Sequence, residues 1–134
     1  MADIHKVGLL AIREGRMLLC RKKRGRQFLI LPGGKIEKNE SDMDCLHREV
    51  QEELGNVTVT DIEFTGSYTD IAAPIDGSKK TVSIQLYRAV IQGEPVASSE
   101  IGELVWFSPH DEMQDLAPSL RNKIVPDLVA RRIL

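Results

Sequence analysis

The stretch SDMDCLHREVQEELG, residues 41 to 55, constrains the fold more tightly than any other part of the chain. Ser41 is a good N-cap, with Asp44 three residues later in an approximate capping box, and Gly55 is a good C-terminal stop. A helix over 42–54 is therefore predicted. Its apolar residues Met43, Leu46, Val50 and Leu54 recur at three- and four-residue steps and form one stripe, which must pack on the rest of the domain. Glu49, Glu53 and then Glu52 fall beside that stripe, near the rim of the buried face, where a cleft would be.

On one side of a helix, Glu49 faces Glu52 and Glu53 across a single turn. At roughly 6 Å and an effective dielectric of about 20, each like-charged pair costs on the order of 2–3 kcal/mol, and under about 1 kcal/mol in full solvent exposure. Solvation, cationic neighbours or a bound metal must relieve this. A solvated acidic face and a cation site both satisfy that requirement, and the helix by itself does not choose between them.

The length of 134 residues and 42% hydrophobic content fit one globular domain over 1–134, with enough apolar surface for a core. A formal charge of −2 gives no support for nucleic acid or an anionic membrane surface as partner. Local charge says more: RKKRGR at 21–26 is basic, while 37–53 carries Glu37, Glu40, Asp42, Asp44, Glu49, Glu52 and Glu53. A basic tract beside an acidic one suits a phosphate–metal complex, and equally suits two surface patches. No run of about 18 apolar residues occurs and the first residues lack a secretory h-region, so a cytoplasmic location is expected. Cys20 and Cys45 form no CxxC pair and are read as reduced and semi-buried, with neither a zinc site nor a disulfide framework indicated. His5, His47 and His110 are scattered and give no triad.

Short apolar runs at 7–12 and 17–20, separated by REGR, predict a hairpin turning at Glu14-Gly15. FLIL at 28–31 reads as a strand stopped by Pro32-Gly33-Gly34. Strands are also predicted over 57–71 and 79–91, joined by a loop with Pro74 and Asp76-Gly77, and over 103–109. Ser108-Pro109 opens a predicted short helix through HDEMQDL, and the tail after Pro118 is helical with a break or kink at Pro126. Strands outnumber helices and hairpins mix with a crossover, which predicts an α+β fold or mixed-sheet sandwich.

Residues 34 to 55 read Gly34, five residues, Glu40, seven residues, Arg48-Glu49-Val50, one residue, Glu52-Glu53, one residue, Gly55. This resembles the Nudix box, G-x5-E-x7-R-E-U-x-E-E-x-G-U with U aliphatic. Every specified position but the last matches. Asn56 stands at that last position and Val57 follows one step late, a departure that touches the helix exit rather than the acidic face. LPGGKIE leads into the box as in MutT-like members.

The resemblance implies a Nudix fold, an α/β/α sandwich with a mixed β-sheet, and a hydrolase using Mg²⁺, with Mn²⁺ as a substitute. It implies Glu49, Glu52 and Glu53 as metal carboxylates, the Gly33 carbonyl as a further ligand, and Arg48 and Glu40 as residues that position them. Hard cations take oxygen ligands and are usually shared between carboxylates and substrate phosphates, which suits this set. Gly33 and Gly34 permit tight backbone geometry there. A later loop supplies another carboxylate in this family. Glu100 fits that place better than Glu103, and either Glu49 or Glu100 fits as general base. Lys35, Arg21 and Lys22 are candidates for substrate phosphates or else solvated cations. No GxxxxGK[ST] spacing marks a P-loop.

The implied substrate is a nucleoside diphosphate linked to a further group, first a nucleoside triphosphate cleaved to monophosphate and pyrophosphate. ADP-ribose and nucleotide sugars are the alternative, and a catalytically silent nucleotide- or protein-binding domain is the rival of another class. The selectivity elements are expected near 64–84 and the C-terminal helix. Tyr68 and Phe28 are read as packing or base-stacking residues, Trp106 as core, and the oligomeric state as monomer or homodimer.

Overall fold

The computed structural model describes residues 2–24, 28–71 and 80–134. Four strands form a mixed sheet: β1 (Ile4–Leu10), β4 (Gly33–Lys35), β5 (Thr58–Ile71) and β6 (Thr81–Gln92), in the order β4-β1-β6-β5. β1 runs parallel to β6 and antiparallel to β4, so the sheet requires a crossover. A smaller antiparallel sheet joins β2 (Ile12–Arg13), β3 (Arg16–Lys22) and β7 (Ile101–Phe107). Helix α1 (Asp42–Leu54) packs with Val7, Leu9, Val59, Ala89 and Ile91 in one apolar cluster. A π-helical turn, Leu120–Ile124, leads into α2 (Val125–Ala130), which packs with Leu10, Val82, Ile84 and Leu86 in a second cluster. Strand alternation thus sends neighbouring residues to opposite helices, giving the α+β sandwich that the sequence predicts.

Several local expectations change. The first hairpin is split between the sheets: Ile12–Arg13 pairs with β3 across Glu14-Gly15, both with positive φ, while Ile4–Leu10 pairs elsewhere. Leu29 and Ile30 make only isolated bridges, to Leu116 and Cys20. The glycines read as a stop instead form β4, because Gly33 can bring its backbone against β1: a Cβ there would strike the Val7 carbonyl. HDEMQDL forms turns rather than a helix. Pro126 sits in the first turn of α2 and interrupts nothing, since the preceding turn widens, with the Val125 N–H reaching the Leu120 carbonyl. Cys20 and Cys45 are fully buried rather than half-buried, and both are unpaired. The loop with Pro74 and Asp76-Gly77 lies outside the described residues. Among the described residues no helix is long and apolar enough to cross a membrane.

Helix α1 follows its sequence closely. Ser41 Oγ accepts from the Asp44 N–H at 3.1 Å, and Gly55 ends the helix with φ +81°. Asn56 is exposed and Val57 is buried in the α1 cluster, so the aliphatic contact arrives one residue late without altering the exit.

Candidate active site

The acidic side of α1 faces β4. Glu53 is nearly buried, at 8% exposure, and its Oε1 accepts the Gly33 N–H at 2.7 Å. Glu49 lies on the next glycine: a Cβ at Gly34 would stand 2.8 Å from its Oε2 and closer still to Oε1. Gly34 is therefore needed as room for a glutamate. The sequence alone suits these glycines to a carbonyl's approach, and this second use emerges only in the fold. Glu52 remains exposed.

Arg48 binds this group together. Its Nε donates to Glu40 Oε2 at 2.7 Å and its Nη2 to Glu40 Oε1 at 2.9 Å, a bidentate pair. Nη1 donates to Glu49 at 2.8 Å, and lies 3.6 Å from Glu52 and 3.7 Å from Glu37. Nη2 also reaches the Lys35 carbonyl at 3.2 Å, fixing the helix to the end of β4. The structure thus brings Glu40, Arg48, Glu49, Glu53 and Gly33 together.

The charges differ in kind. Arg48, then the Glu37 N–H, hold the Glu40 carboxyl at about 2, as a group ionised in place. Arg48 is itself held above its usual range by Glu40. Burial instead pushes Glu49 up against the pull of Arg48. Glu53 is pushed up to about 7 by burial and by Glu49, with the Gly33 N–H, Lys22 and Lys6 only partly opposing. Such a carboxylate lacks counter-charge. Burial also pushes the Cys45 thiol up to about 12, so it stays protonated beside the Gly34 and Lys35 carbonyls.

The oxygen donors suit a hard cation by type and by the negative charge left uncompensated at Glu53. Among the described residues, no three His, Cys, Asp or Glu side chains already stand close enough to hold an ion.

The remaining candidates are dispersed. Glu100 is exposed in the turn before β7, its carbonyl accepting the Lys23 N–H at 2.9 Å, and no contact joins its carboxylate to the helix glutamates among the described residues. Glu103 pairs with Arg21 at 3.0 Å across the β3–β7 ladder. Arg21, Lys22, Lys23 and Glu103 line an open cleft of about 430 Å³. Lys35 is exposed on β4, and the charge of Lys22 acts on Glu53. Tyr68 is a packing residue, donating its OH to Asp127 of α2. Trp106 is only partly buried and carries the Arg13 guanidinium 5.5 Å from its ring centre. One further residue has no signature in the sequence: Lys6 of β1, whose charge also acts on Glu53. An isolated lysine before an apolar run gives no local signal.

A strand–loop–helix unit here seats an acidic helix face on two glycines. The NUDIX domain family model matches residues 5–128, and the chain belongs to the Nudix family, whose hydrolases act on phosphoanhydride bonds and use divalent metals. An uncharacterised Nudix hydrolase of Bacillus subtilis, YvcI, is 32% identical over 101 residues, 73% of this chain and 61% of that protein. The chain thus spans less than two thirds of that relative's length. A CTP pyrophosphohydrolase of Escherichia coli is 28% identical over 123 residues, covering 89% of this chain and 87% of that one. The crystal structure of a MutT Nudix hydrolase from Burkholderia pseudomallei superposes with a TM-score of 0.70 at 26% identity, over 84% of this chain and 88% of that chain.

Proposed function

We propose that this protein is a Mg²⁺-dependent hydrolase of nucleoside diphosphates linked to a further group, with nucleoside triphosphates, cleaved to monophosphate and pyrophosphate, as its first substrates. One observation carries the reading: Glu53 is buried on the Gly33 backbone with its carboxyl pushed up to about 7, beside a second raised carboxylate, Glu49. Burying such charge is unfavourable unless a cation completes the site.

Glu53, Glu49, Glu52 and the Gly33 carbonyl would hold Mg²⁺, or Mn²⁺ in its place, with Glu100 as the loop carboxylate. When bound, the ion polarises phosphoryl oxygens and neutralises developing charge. Glu49 or Glu100 takes a proton from the attacking water. Arg48, locked by Glu40, orients Glu49, and Lys35, Lys22 and Arg21 are the candidates for contacting the phosphates. The E. coli relative's name, a CTP pyrophosphohydrolase, supports a triphosphate over a nucleotide sugar.

A panel of unmodified and oxidised nucleoside triphosphates, ADP-ribose and nucleotide sugars tests the proposal. Mg²⁺-dependent release of pyrophosphate from triphosphates is the expected result. Efficient hydrolysis of ADP-ribose or a nucleotide sugar, with no triphosphate turned over, contradicts it.

A further inference from the structure

Lys6 lies between β4 and β6, with Lys35 and Ile84 as its register partners. Its neighbours in the strand, Val7 and Leu9, are buried in the cluster beneath α1. Ile4 packs against the opposite cluster, and a Cβ on Gly8 would meet Leu31 and Ile84 of that same cluster. Alternation therefore puts Lys6, between Ile4 and Gly8, on the α2 face of the sheet. The side chain is half-buried, and no hydrogen bond or ion pair holds its ammonium among the described residues. No buried side-chain nitrogen or oxygen lacks a partner there, so the ammonium opens to solvent.

Cross-strand partners share a face, so Lys6 and Lys35 present two cations side by side, an arrangement that destabilises a sheet by itself. The third cation, Lys22, also acts on Lys6. Burial, then Lys22 and Lys35, push the Lys6 ammonium below its usual value, with Glu53 and Cys20 pulling the other way. An anion bearing several charges would relieve both the burial and the repulsion.

We propose that Lys6 and Lys35 form a paired seat for the substrate's phosphate chain, Lys6 making the inner contact; this rests on the nucleotide reading above. Lys6 is then a binding residue that the Nudix box does not contain.

Titration calorimetry of inorganic tripolyphosphate with Mg²⁺ into wild type, Lys6→Met, Lys6→Gln and Lys6→Arg tests the seat, with melting curves on the same samples. The Kd should rise about tenfold or more in Lys6→Met and Lys6→Gln and stay within about threefold in Lys6→Arg. Without anion, Lys6→Met should melt at or above wild type, because an unpartnered half-buried cation has been removed. Unchanged affinity in Lys6→Met, or no tripolyphosphate binding to wild type, overturns the proposal. So does an anion-free melting temperature lowered in both Lys6→Met and Lys6→Gln, the mark of a structural lysine. The titration needs no turnover, so failure of the substrate panel and failure of the seat are separate results.

Discussion

The helices on the two sides of the four-stranded sheet hold their polar groups in opposite ways. At the edge of the α2 cluster, Tyr68 donates to Asp127, Arg131 donates to Asp127 at 3.1 Å and to the Thr65 carbonyl at 2.8 Å, and Asn122 donates to Asp70 at 3.0 Å. Tyr68 and Asp127 each keep the protonation state they prefer: burial and then Asp127 push the Tyr68 phenol up to about 12, while the Tyr68 hydrogen bond holds Asp127 low. On the α1 side, burial drives Glu49 and Glu53 away from the charged form. Satisfied polar groups fasten an element, whereas strained ones wait for a ligand.

The contrast is sharpest at Glu53. Replacement by Gln is nearly isosteric, and kcat should fall by at least about 10²–10³ while the fold stays intact. The metal-free variant should also melt higher than wild type at pH 8. A carboxyl whose folded value is raised from 4.5 to about 7 carries no penalty while protonated in both states, and loses stability as pH rises through that window. Removing the charge removes the loss, so the two melting curves should converge near pH 4. Unchanged turnover at saturating Mg²⁺ would take Glu53 out of the metal set.

Under α2 the effects should reverse. Leu128 is fully buried in its cluster, and Leu128→Ala should destabilise by about 2–5 kcal/mol in chemical denaturation while leaving kcat of the folded enzyme unchanged. Tyr68→Phe keeps the ring and deletes the hydrogen bond to Asp127, a smaller loss of about 1 kcal/mol. KM should not move, since Tyr68 acts as packing; a large rise in KM would return it to the substrate site.

Much of the α1 side was legible because its signals are local. The cap at Ser41, the stop at Gly55 and the stripe through Leu46 and Val50 lie within one helix, and the box spacing extends only from Gly34 to Gly55. What escaped depends on contacts distant in sequence. Gly33–Lys35 becomes a strand only because β1 lies alongside it, and Gly34 shows its purpose only once Glu49 rests on it. FLIL has strand composition but meets only single bridging residues. Lys6 gains meaning from Lys35, brought opposite by that same pairing.

Melting wild type and Glu52→Gln/Glu53→Gln with and without millimolar Mg²⁺, at pH 8 and pH 5.5, decides whether the acidic face of α1 is a cation site or a solvated surface. A ligand that binds only the folded state stabilises it, by about 2.7 kcal/mol at a hundred times its Kd. Wild type should therefore gain several degrees at pH 8. It should gain less at pH 5.5, where Glu53, with its carboxyl at about 7, must first give up a proton. The double variant should gain little at either pH. Equal Mg²⁺ shifts in both proteins at both pH values would contradict the account and leave Glu49, Glu52 and Glu53 as an ordinary solvated face.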